Sequence, residues 1–232
     1  MKKNRMMRIA TALLIAVLLT TCAISGTFAK YVTTASGTDS ARVAKWGVDI
    51  EIVSGAGFSN EYATDDTNYS GALSVKSADN KNVVAPGTSS EDVNGNVTFT
   101  ISGAPEVAVK VDIAFDAKSE IKLAAGDYLD YTTANSDTDT FTLNEEYYPV
   151  KFTLTKTGEA NPVVNKGTLA DVEEALNGDT AYYEPNADLD VTYTLTWEWA
   201  FSVNDKADTY LGNEATLQTL AYDLTISVTQ VD

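Results

Sequence analysis

Residues 189–201 read LDVTYTLTWEWAF, the longest strict alternation in the chain. On an extended backbone Val191, Tyr193, Leu195, Trp197, Trp199 and Phe201 fall on one side, and Thr192, Thr194, Thr196 and Glu198 on the other. Strand side chains alternate with period two, so the segment offers one apolar face to a core and one threonine-rich face to water. Its β-branched and aromatic residues suit a pleated surface. A strand wet on one face belongs to an antiparallel sheet, because parallel sheets are covered on both faces.

Working outward, the pattern recurs. VAKWGVDIEIV (43–53) sets Ala44, Trp46, Val48, Ile50 and Ile52 against Lys45, Asp49 and Glu51, which predicts a half-buried strand. Val97, Phe99 and Ile101 alternate, as do EVAVKVDIAFD (106–116), YPVKFTLTKT (148–157) and AYDLTISVTQV (221–231). Leu73 and Val75 mark a short strand, and the looser stretch 117–146 holds short strands around Tyr128 and Phe141. Residues 54–70 are a polar excursion, and Ala85-Pro86-Gly87-Thr88 is a turn. One helix is expected: Thr168 caps it, acidic residues follow, Leu169, Val172 and Leu176 share a face, and Asn177-Gly178 stops it. The fold class is therefore mainly all-β, an antiparallel β-sandwich or jelly roll with one or two short helices.

Composition narrows the chemistry. The 232 residues carry 16 Lys+Arg, 33 Asp+Glu, no His and one Cys, for a net charge of −17. Without His there is no Ser-His-Asp triad, no Cys-His pair and no imidazole-ligated metal site. A single Cys allows no internal disulfide, and so acidic a chain repels nucleic-acid phosphate. No catalytic residue and no cofactor-binding residue is expected, and the protein reads as a non-enzyme.

The N-terminus reads as an address. Lys2, Lys3, Arg5 and Arg8 precede the uncharged run IATALLIAVLLTTCAI (9–24), and no acid occurs before Asp39. Sixteen mostly apolar residues fall short of the ~20 that span a bilayer. A basic head, a short apolar run and the small residues Thr27 and Ala29 form a secretory signal peptide, cleaved between Ala29 and Lys30. A retained anchor and lipidation at Cys22 are the competing readings. Cleavage removes four cations and no anion, leaving 12 Lys+Arg against 33 Asp+Glu and a mature charge of −21. The mature chain then has neither His nor Cys, and the C-terminal SVTQVD shows no sorting motif or apolar span. The expected organisation is signal peptide 1–29, N-terminal arm 30–40 and sandwich domain 41–232.

Two further constellations carry alternatives. Asn135, Asp137 and Asp139, with Glu146 eleven residues after Asn135, have the carboxylate spacing of a calcium loop. Thr140 stands where such loops need Gly and the flanks are not helical, so a solvated acidic loop is the default and calcium the alternative. Trp197, Trp199 and Tyr193 could stack sugar rings, yet they share a face with Val191, Leu195 and Phe201, which favours core packing.

The junction SGTFAKYVTTASGTDSARVAKWGVDI (25–50) resembles the export region of TasA/camelysin-type secreted proteins of Firmicute bacteria. Ala85-Pro86-Gly87-Thr88 with the 97–101 and 106–116 strands is similar to that family's Pro-Gly-Asp, strand, turn, strand core, with Thr88 in place of Asp. The resemblance is dense over residues 1–50 and patchy beyond, through WEWAF (197–201), DTYLGNEAT (208–216) and SVTQVD (227–232). It implies processing by a SipW-type signal peptidase and a jelly-roll subunit of biofilm-matrix fibres. Subunits would join by β-strand addition, with Lys30, Tyr31, Val32, Thr33, Thr34, Ala35 and Ser36 as the donor arm. Partners would be further copies and other matrix proteins, with no nucleic acid and no membrane after cleavage. A surface binding module for glycans or proteins is the alternative. A camelysin-like peptidase is strained by the absence of His.

Overall fold

The structure, a computed structural model, describes residues 11, 13–15, 42–54, 57–64 and 71–231. Met1–Val43 and Ala44–Asp232 are separate compact units. In the first, Thr11 and Leu13–Ile15 are helical. Among the described residues no helix is long and apolar enough to cross a membrane.

The second unit is built of strands. In chain order they are β1 (Val48–Ser54), β2 (Glu61–Ala63), β3 (Leu73–Lys76), β4 (Thr88–Ser89), β5 (Val97–Gly103), β6 (Val109–Ser119) and β7 (Gly126–Leu129). There follow β8 (Thr140–Leu143), β9 (Val150–Lys156), β10 (Val164–Gly167), β11 (Ala181–Tyr183), β12 (Leu189–Trp199) and β13 (Ala221–Gln230). Among the described residues two α-helices interrupt them, α1 (Leu169–Asn177) and α2 (Asp205–Asn213), and a 3-10 turn, Glu91–Val93, precedes β5.

The larger sheet runs β1-β5-β12-β9-β10, with β4 also pairing β12, and the smaller runs β11-β6-β13. Every pairing is antiparallel. The deciding stretch, β12, is the centre of the larger sheet and alternates as its sequence requires: Tyr193, Leu195, Trp197 and Trp199 are buried. Opposite residues share a face, so Phe99 on β5 meets Tyr193, their rings stacked with centroids 4.9 Å apart. Val150, Phe152 and Leu154 of β9 continue that face. Val109, Val111, Ile113 and Phe115 of β6 belong to the same buried core from the smaller sheet. The molecule is an all-β sandwich, and the outer face of β12 carries the threonines. Thr192 and Thr100 hydroxyls lie 2.9 Å apart across the strands.

The entry to β1 and the end of β5 approach each other closely. A Cβ on Gly103 (φ +128°) would lie 1.9 Å from the carbonyl oxygen of Gly47, so only glycine fits there. Gly47 has φ +57° and breaks the extended run. That is why β1 starts at Val48, leaving Ala44 and Trp46 outside the strand that the alternation extends to them. At the other end of β12, Phe201 is expected inward and is instead 75% exposed: the strand stops at Trp199 and the chain turns toward α2. The helix at 169–177 follows its sequence closely, with Thr168 and Asp171 forming a reciprocal capping box and Gly178 at its end.

Candidate functional site

The two flanks of the sandwich differ in how they end. On one, α1 packs against β6, β9 and β10. On the other, among the described residues β1 is hydrogen-bonded only to β5, and β13 only to β6, so each is the last described strand of its sheet. Gly57, just beyond β1, sits between them: a Cβ there would lie 3.5 Å from the Tyr222 hydroxyl of β13 and 3.6 Å from Val97 of β5.

The register of β1 makes this flank informative. Ile50 stands opposite Ile101 and Ile52 opposite Phe99, so both isoleucines extend the core face of the larger sheet. Ile101 and Phe99 are 1% exposed, whereas Ile50 and Ile52 are 37% and 46% exposed. The smaller sheet does not cover them. Across the gap, Tyr222, Leu224, Ile226 and Val228 of β13 are only half-buried against the core. Burial raises the Tyr222 hydroxyl pKa by desolvation, as expected of a phenol at the margin of an apolar layer.

Natural edge strands are usually blunted by lysines, prolines, bulges or a covering element. β1 has no lysine, proline or bulge, and the described residues supply no covering element: seven residues pair with β5 in unbroken register, and their only charges are Asp49 and Glu51. An unblunted edge with an uncovered core face can accept another strand. Its backbone would close the ladder and its side chains would cover Ile50 and Ile52.

Several residues singled out in the sequence have definite places. Ala29, Lys30 and the arm 30–36 lie outside the described residues. Three of the four calcium candidates have partners within the fold. Asn135 closes a tight turn by accepting from the Asp139 amide at 2.9 Å, and Asp139 accepts from the Thr133 hydroxyl at 2.9 Å. Glu146 accepts from the Tyr148 hydroxyl at 2.6 Å and pairs with Lys122 at 3.4 Å, which together hold its pKa below the ordinary value. Among the described residues no group of three or more acidic, Cys or His side chains is placed to hold a metal ion. Asp137 belongs to that exposed turn and joins no such group. Trp197 and Trp199 are each 5% exposed and belong to the core, so they form no sugar-stacking platform on the sheet surface.

Other charged groups serve the fold. Lys156 pairs with Asp179 at 2.7 Å, and the Tyr193 hydroxyl donates to the same carboxylate. Desolvation opposes both charges, but the hydrogen bonds outweigh it, raising the Lys156 pKa and lowering that of Asp179. Tyr193 is pushed up to about 12, by burial first and then by donation to Asp179. Asp130 is almost wholly buried and pairs with Lys206 at 2.7 Å, tying the 130–139 loop to α2.

No family model and no curated protein matches the chain.

The sequence gives no warning of this flank. The alternation of 43–53 marks Ile50 and Ile52 as inward-facing, which they are, but cannot reveal that the opposite sheet stops short of them. The available signal is the absence of edge-blunting residues between Val48 and Ser54.

Proposed function

We propose that the protein is a secreted structural subunit of an extracellular matrix or biofilm fibre, assembled by β-strand addition at the β1 edge. The observation that carries this reading is the core face of β1, Ile50 and Ile52, which the described residues leave partly exposed on a strand without lysine, proline or bulge. The occupant is residues 30–36 of a second copy. Seven extended residues reach about 23 Å, the span of a seven-residue strand. That arm, KYVTTAS, alternates weakly, is rich in β-branched residues, and carries one cation and no acid. It complements Asp49 and Glu51, and it cannot add to the repulsion within so acidic a chain.

Export fits the same reading. The basic head and short apolar run direct the chain out of the cell, where cleavage after Ala29 frees the arm. Retention then depends on assembly with further copies and other matrix proteins. Removal of residues 30–36 from the protein starting at Lys30 is the test. Filaments visible by electron microscopy should form with the arm and be absent without it; filaments of unchanged number and width without the arm would refute strand addition.

A further inference from the structure

Where the chain leaves β12, its apolar side chains turn outward. Phe201 and Val203, in the turn between β12 and α2, and Leu217, beyond α2, are between 65% and 75% exposed. Beside them lies an open cavity of about 530 Å³, formed by α2, the end of β12 and the segments 79–86 and 217–220. Its walls are largely apolar, with Val84, Pro86, Ile121, Leu211 and Leu217 among them. Phe201 stands at the rim. A Cβ on Gly87, next to Pro86, would lie 3.2 Å from the Phe201 ring, and the Gly87 amide donates to the Trp199 carbonyl at 2.7 Å.

A protruding apolar ring and an apolar hollow side by side on one surface form a self-complementary pair. A two-fold axis between them sets the Phe201 of each copy over the cavity of the other, which is the isologous geometry of the commonest protein dimers. Exposed apolar residues around a concavity mark an interaction site, because leaving them in water forgoes the hydrophobic gain. The charge pattern permits the approach. The chain carries a net −17 and repels its own kind, yet the two exposed charges of the cavity lining, Asp79 and Lys81, are paired with each other at 2.9 Å. A small molecule in the hollow would leave Phe201 and Val203 in water, whereas a second copy covers both.

We propose that this surface pairs two copies of the chain, with the Phe201 ring of each entering the cavity beside α2 of the other. The pairing surface is separate from the β1 edge, and its use does not depend on fibre formation.

The test is sedimentation equilibrium of the purified protein starting at Lys30, carrying Ile52→Lys so that strand addition at β1 does not contribute. A monomer–dimer equilibrium is expected. Burying one phenylalanine is worth about tenfold or more in affinity, and the two-fold symmetry doubles it, so adding Phe201→Ser should weaken pairing about a hundredfold. The melting curve should not move, because the ring is exposed in the single chain. Gly212→Trp fills the hollow instead. A Cβ there meets no atom within 4 Å, so the large side chain is tolerated at this wall and pairing should be lost to the same extent. The two variants mixed regain one ring in one cavity and should pair about tenfold more tightly than either alone. A monomer at every concentration overturns the proposal, and a dimer present only without Ile52→Lys does so by assigning the contact to the β1 edge. Folded variants that pair like the parent, or a mixture no tighter than its components, overturn it equally.

Discussion

The flank closed by α1 and the flank ending at β1 present the same kind of surface and treat it in opposite ways. At the closed flank Leu169, Val172 and Leu176 bury completely, with the helix fixed at both ends. Glu120 accepts from the Leu169 amide at 2.6 Å, and the Asn177 amide group brackets Phe115 with bonds of 2.7 and 3.0 Å to its backbone. The edge strand there, β10, is short and irregular, and its Lys166 pairs with Glu198 at 2.6 Å. The β1 edge is longer, regular and uncovered. Isoleucine at 50 and 52 is no less apolar than leucine at 169. What differs is whether the chain itself supplies an amphipathic element to lie over the sheet, and at β1 the described residues supply none.

The sharpest way to break this comparison is to truncate one side chain on each flank. Phe152→Ala or Leu169→Ala removes a fully buried side chain and should cost about 3–5 and 2–5 kcal/mol respectively, read from urea midpoints. Ile52→Ala, half-exposed, should cost below about 1 kcal/mol in the same assay, since little area is removed from water. Equal losses would mean that the β1 flank is covered in the single chain.

Next in size is the Lys156–Asp179 pair, roughly a quarter exposed on each side. Lys156→Met should cost about 1–2 kcal/mol, between the values for surface and buried pairs. Its pH dependence has a definite sign. The folded pKa of Asp179 is lowered, so its contribution is present above the unfolded value of about 3.9 and lost as pH falls through the folded one. The stability gap between parent and Asp179→Asn should therefore be widest near neutrality and shrink in acid below about pH 4. A gap that stays constant from neutral to acid pH would show that the carboxylate gains nothing from its partners in the fold. Smaller again is the cap: Thr168→Ala should cost about 1 kcal/mol, because the Asp171 amide loses its acceptor and the Asp171 carboxylate loses the Thr168 hydroxyl while keeping the residue-168 backbone amide.

Much of this architecture is legible in the residues, and the gaps have physical causes. Alternation placed the core faces of β5, β6, β9 and β12 because period two is a local property of an extended chain. Thr168, Leu169, Val172, Leu176 and Gly178 marked α1 because caps and helical spacing are local too. Tyr62 shows where locality fails. It lies in a polar excursion, yet it is 1% exposed, its hydroxyl donating to the Val83 carbonyl at 2.9 Å. Only the tertiary fold brings Val83 there. The uncovered state of Ile50 and Ile52 depends on the width of the other sheet, which no alternation encodes.

The smallest effect on the single chain is the most telling for the open flank. Ile52→Lys places a cation on the core face of β1, where burial would require desolvating it. In the isolated subunit the side chain at 52 is 46% exposed, so the ammonium can reach water and the long stem can lie along the apolar surface. Its cost should stay within about 0.5 kcal/mol, the range of ordinary surface changes. A strand added over that face would bury the charge unpaired, so the same substitution should stop filament growth. Lysine is also the residue with which natural sheets blunt their edges. Filament yield by light scattering, set beside the urea midpoint of the subunit, separates the two demands. An unchanged midpoint with lost filaments marks β1 as an assembly face. A large drop in the midpoint would place Ile52 in the core of the single chain, and unchanged filaments would move strand addition to another edge, with β13 the next to mutate.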